Sequence, residues 1–127
     1  MSESTVIIVE DQADIAEMFA EMMRVSGFRA LTSFTSAKAL DLIATEKPAL
    51  VILDVMMPDV SGLDVLRFMM HDPQLASIPV VIVSAMSLSS DIKSGIAAGA
   101  SAYLTKPVDF TELKEIVKKL TAAGASA

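Results

Sequence analysis

Cysteine and tryptophan are absent from the 127 residues, and histidine occurs once. Without cysteine the chain can form no disulfide and offers no thiolate to a metal. Apolar residues make up 53% of the chain, yet every apolar run is broken by charge, proline or serine well short of the roughly 18 residues a membrane span needs. A signal peptide is also missing from the start, where MSESTVIIVE has no basic segment ahead of its short apolar run. Basic charge is scarce: 10 Lys and Arg against 16 Asp and Glu leave a net charge of −6, which excludes the electrostatic footprint of direct nucleic-acid binding. Neither GxGxxG nor GxxxxGK[ST] follows any apolar run, so the usual nucleotide cradles are excluded as well. What remains is a soluble, cytoplasmic protein of one domain, long enough to bury about two-thirds of its unfolded surface.

Two sequence periods alternate along that domain. VIIV at 6–9, LVIL at 50–53 and VVIV at 80–83 have the continuous apolar character of strands buried on both faces, and 29–33 and 102–105 are weaker strand candidates. Between them, Ile15, Met18, Phe19, Met22 and Met23 recur at helical spacing, and Gly27 stands where such a helix would stop. Segments 36–44, 62–70, 89–98 and 110–120 continue the alternation, with Gly99 as a second stop. Five strands alternating with five helices predict an α/β, doubly wound parallel sheet with helices on both faces. The final TAAGASA is low in complexity, which puts a domain at 1–121 and a flexible tail at 122–127.

Right-handed crossovers bring all the carboxyl ends of parallel strands to one edge, where ligands bind. To that edge the pattern delivers Glu10 and Asp11 after the first strand, Asp54 after the third, Ser84 after the fourth, and Lys106 before Pro107 after the fifth. Each has an ordinary structural alternative. Asp11 could cap the first helix with Asp14 in its first turn, Asp54 could open a turn, Ser84 could be a loop serine and Lys106 a solvated lysine. Together they suggest more, because clustered carboxylates repel each other and a hard divalent cation relieves that repulsion. An oxygen-only donor set suits Mg²⁺. A metal beside a free carboxylate, a lysine and a hydroxyl is suited to phosphoryl transfer, with Asp54 as nucleophile.

These residues resemble the receiver domains of two-component response regulators. The resemblance rests on IIVED near the start, VILDVMMPDVSGLDVL around Asp54, IVSA at strand four and YLTKP at strand five, and it covers essentially the whole chain. It implies a flavodoxin-like sheet of order 2-1-3-4-5 and Mg²⁺-dependent transfer of a phosphoryl group to Asp54 from a histidine kinase or histidine phosphotransfer protein. It also implies that Asp11, Asp54 and the Met56 backbone carbonyl bind the metal, with Glu10 acting through water. Lys106 would pair with phosphoryl oxygens, Ser84 would bond one of them after transfer, and Tyr103 would be the aromatic that follows Ser84. No separate organic cofactor is implied. The acidic pair is Glu-Asp where Asp-Asp is commoner, and Ser84 stands where threonine is frequent; both keep the required oxygen chemistry.

By the same resemblance, a downstream protein would read the state of the site on the face made by the fourth helix, fifth strand and fifth helix. Apolar Met56 and Met86 would flank the path of an attacking water, so self-dephosphorylation would be slow. His71, at the end of the third helix, is expected to meet the helix dipole. Methionines of the first helix are core filler or an adaptable docking face. A haloacid-dehalogenase-like phosphatase would need a second aspartate where Met56 stands, and a binding module that had lost phosphorylation would have no reason to keep the whole set. A single-domain regulator is the expectation, and a receiver cut from a longer regulator or hybrid kinase is the alternative.

Overall fold

Valine and isoleucine dominate the middle strands because those strands are covered on both sides. The computed structural model describes residues 4–55 and 62–125. Its elements run β1 Thr5–Val9, α1 Ala13–Val25, β2 Arg29–Ser33, α2 Ser36–Glu46, β3 Leu50–Leu53, α3 Gly62–His71, β4 Val80–Ser84, α4 Ser89–Ala97, β5 Ala102–Thr105 and α5 Phe110–Ala125. All neighbouring strands are parallel and the order is β2-β1-β3-β4-β5, as the sequence predicts.

Alternate residues of each central strand feed two separate cores. Ile7, Val9, Val51, Leu53, Val80 and Ile82 face α2 and α3, meeting Ala39, Ile43, Val65, Leu66 and Met69. Val6, Ile8, Leu50, Ile52, Val81 and Val83 face α1 and α5, meeting Phe19, Met23, Leu113 and Val117. Each large side chain buried this way contributes about 1.5–3 kcal/mol relative to exposure. Both cores lie at the sheet's centre, so the rigid part of the molecule holds the strand ends where the polar residues sit.

Two helix ends show why glycine is needed. Gly27 at φ +96° and Gly99 at φ +121° follow α1 and α4 in the left-handed region, which a side chain disfavours. At the other terminus, α5 continues to Ala125, past the helix boundary of 120 read from the sequence. Residues 122–125 of the expected tail are therefore helical. Alanine is the best helix former, so TAAGA extends a helix already nucleated and packed upstream.

Candidate functional site

The strand order reverses between β1 and β3, and the residues just beyond those two strands flank the resulting crevice. The Asp54 N–H donates to the Val9 carbonyl (3.0 Å), and the Glu10 N–H donates to the Ser33 carbonyl (3.0 Å), so both carboxylates are seated by main-chain bonds that prolong the sheet. Gly62 brings the start of α3 against the same place. A Cβ there would run into the Asp54 carbonyl and lie 2.6 Å from the Val55 Cα.

Glu10 and Asp54 are buried, at 2% and 5% exposure, and Asp11 is the most open of the three. One ligand oxygen from each lies within 4.8 Å of the others. Lys106 comes in from β5, and its Nζ donates to Glu10 Oε1 at 2.9 Å and to Asp54 Oδ2 at 3.1 Å. The peptide after it, Lys106–Pro107, is cis. Asp11, Gln12, Asp54, Ala85 and Lys106 line a cavity of about 210 Å³ at this edge. The capping alternative for Asp11 is not realised: Gln12 is the N-cap of α1 and makes no side-chain cap bond, while Asp14 lies in the first turn.

Burial disfavours the charge of Glu10 and raises its pKa above 4.5; the Lys106 hydrogen bond opposes this and Asp54 repulsion adds to it. Burial also lowers Lys106, but its bonds to Glu10 and Asp54 outweigh that and leave it above 10.5, so the ammonium stays charged. An acid with a raised folded pKa destabilises the fold once it is ionised, and does so less as pH falls through the folded value. Glu10→Gln keeps an oxygen for Lys106 and carries no charge. We therefore expect this variant, in chelator, to unfold at higher urea than wild type near neutral pH, with the advantage shrinking as pH falls toward the ordinary glutamate value of 4.5. An advantage that grows on acidification would contradict the repulsion account.

Ser84 is fully buried at the end of β4, and its carbonyl accepts the Lys106 N–H at 2.8 Å. Its Oγ accepts the Met86 N–H at 3.1 Å. Tyr103 lies opposite Ile82 in the β4–β5 register, and its hydroxyl donates to the Met86 carbonyl at 2.8 Å. Burial raises the Tyr103 pKa above 10.0, and the nearby Ser84 hydroxyl offsets part of that rise. The Met86 main chain thus bridges the two expected switch residues, a role the sequence gives no signal for. The residue as a whole is 38% exposed.

The structure brings Glu10, Asp11, Asp54 and Lys106 into one site, with Ser84 one strand away and Tyr103 tied to it through Met86. Met56, expected to lend its carbonyl to a metal, lies outside the described residues. His71 ends α3, and its Nδ1 is 2.7 Å from the Arg67 carbonyl in the preceding turn. The first-helix methionines divide: Met23 is buried, whereas Met18 and Met22 line a groove of about 640 Å³ with Val25 and Phe110, edged by Asp14, Glu17 and Glu21. Among the described residues no helix is long and apolar enough to cross a membrane.

The fold is a doubly wound α/β sheet with a carboxylate cluster and a lysine at its switch point. The chain belongs to the response regulator receiver domain family, which matches residues 6–118. The polar-differentiation response regulator DivK of Brucella anthropi is 32% identical over 114 residues, which cover 90% of this chain and 93% of that protein. The receiver domain of Francisella response regulator 1452 superposes with a TM-score of 0.88 at 27% identity, over 95% of this chain and 98% of that one. The receiver domain of a signal transduction histidine kinase from Syntrophus aciditrophicus gives 0.87 at 28% identity, over 94% and 91%.

Proposed function

We propose that the chain is a phosphoacceptor switch: Asp54 accepts a phosphoryl group from a phosphohistidine of a kinase or phosphotransfer protein in a Mg²⁺-dependent reaction. In the transfer, an Asp54 carboxylate oxygen forms a bond to phosphorus as the phosphorus–nitrogen bond to histidine breaks. The nitrogen takes the electron pair of that bond, and with the ring's other nitrogen protonated the leaving group is neutral imidazole. The observation that carries this reading is the Lys106 ammonium bridging Glu10 and Asp54 beside Asp11. That arrangement sets one ammonium among three carboxylates, a surplus of negative charge that a second cation would offset.

The donor set fits the metal. It consists of carboxylate oxygens close to one another, the chain has no cysteine, and its one histidine is engaged at the end of α3; hard oxygen ligands select Mg²⁺ over softer ions. Asp11 and Asp54 would hold the ion, with the Met56 carbonyl, and Glu10 through water. The bound ion would neutralise charge on the phosphoryl oxygens. Asp54 supplies the nucleophile, and its main-chain bond to Val9 holds its backbone at the end of β3. Lys106 trades its carboxylate partners for a phosphoryl oxygen, and the Ser84 hydroxyl donates to another.

When the Ser84 hydroxyl turns toward the phosphoryl group, its bond to the Met86 N–H weakens, which frees the Met86 main chain to reseat the Tyr103 ring. That transmits a local charge change to α4, β5 and α5, the face proposed for a downstream protein. Phosphorylated and free protein should then differ in amide exchange at Met86, along α4 and at Tyr103. Equal protection in the two states would show that the bridge does not respond.

A further inference from the structure

Gly95 stands in the interior of α4 and is that helix's buried residue. Glycine is a poor choice there, since it loses more backbone freedom on folding than any other residue and α4 is only nine residues long. Alanine would favour the helix. The reason for glycine lies beneath it. A Cβ at position 95 would come 2.9 Å from Ile82 Cδ1, 2.9 Å from Tyr103 Cδ2 and 3.2 Å from Tyr103 Cε2. Ile82 Cδ1 is the end of a flexible side chain, but the Tyr103 ring is rigid and its far end is tethered to the Met86 carbonyl. A ring packed on one side and bonded at its tip has less room to yield than a free aliphatic end.

We infer that Gly95 is the positioning residue for Tyr103: the missing side chain lets α4 lie directly on the aromatic ring and so holds the hydroxyl on the Met86 carbonyl. This rests on the proposal that Tyr103 takes part in switching, although the seating of the ring can be tested without phosphorylation. Adding one methyl group at position 95 forces a choice. Either the ring swings outward and releases Met86, or α4 lifts from the sheet. Both change the α4–β5 surface with no phosphoryl group present. Gly95 thus sets how firmly the ring is seated before any phosphoryl group arrives.

The chain contains one tyrosine and no tryptophan, so tyrosine emission reports this ring alone. In the unphosphorylated full chain, Gly95→Ala should raise acrylamide quenching of Tyr103 at least about twofold, as expected for a ring that leaves a packed seat. Exchange at the Met86 amide should quicken. Because a methyl group could also disturb α4 in a way unrelated to the ring, the second arm repeats the substitution in a Tyr103→Ala background. Gly95→Ala should lower the unfolding midpoint of the wild-type chain and raise it when Tyr103 is gone, since Ile82 Cδ1 can then shift into the space the ring leaves and the helix preference decides. Unchanged quenching, or the same loss of midpoint in both backgrounds, would overturn the inference. If quenching changes as stated while phosphorylation leaves Tyr103 unmoved, the seating stands and the switching role falls.

Discussion

Asp54→Asn takes up no phosphoryl group when the protein is incubated with a small acyl phosphate and Mg²⁺, whereas wild type takes up one. The effect is complete because the amide nitrogen of asparagine is not a nucleophile and its oxygen carries no charge with which to attack phosphorus. Folding is not the reason for the loss. Asparagine is isosteric, its oxygen can still accept from Lys106 Nζ, and the Asp54 N–H bond to Val9 is made by the main chain. Removing one negative charge from the cluster also relieves repulsion, worth about 1 kcal/mol for charges 4 Å apart in water and more where water is excluded. The variant is therefore expected to unfold at a denaturant concentration equal to or above that of wild type. Intact-mass measurement gives the phosphoryl count and a urea titration gives the stability. Labelling of the variant equal to wild type would move the acceptor elsewhere.

Asp11→Asn separates a metal ligand from a structural carboxylate. Mg²⁺ affinity should fall at least about tenfold, since a hard cation loses a charged ligand and keeps only a neutral one. Without metal, stability should hardly change, because Gln12 occupies the cap of α1 and Asp11 makes no cap bond there. The contrast is visible in one experiment. Adding Mg²⁺ raises the unfolding midpoint of wild type by mass action, and the same concentration raises that of Asp11→Asn far less. If both proteins gain equally, Asp11 does not touch the ion. If the variant is strongly destabilised in chelator, Asp11 has a structural role that the geometry does not show.

Much of the site was legible because strand ends are legible. VIIV, LVIL and VVIV mark their strands by continuous apolar character, and each stops at a polar residue, so Glu10, Asp54 and Ser84 could be placed on one edge before any coordinates. Gly27 and Gly99 marked helix ends for the same local reason. Pairings between distant residues were not legible. The Lys106–Glu10 bond joins positions 96 residues apart, and whether a lysine at a strand end points at one carboxylate or bridges two depends on torsions that no local pattern encodes. Met86 was read for its apolar side chain, while its main chain carries the link from Ser84 to Tyr103. The capping alternative for Asp11 turned on a shift of one residue, within the ordinary uncertainty of a helix start. Gly95 carries no signal in the sequence because its meaning lies in the ring packed beneath it, which sequence spacing does not reveal.

The measurement that bears most directly on phosphoacceptor function is chemical trapping of the acyl phosphate. Wild-type protein is incubated with a small acyl phosphate, with and without Mg²⁺, then treated with borohydride, which reduces an aspartyl phosphate to homoserine, and the peptides are read by mass. The expected result is homoserine at position 54 alone, formed only when Mg²⁺ is present. No homoserine at 54, the same yield in chelator, or a stable phosphoryl group on Ser84 or His71 in its place would contradict the account.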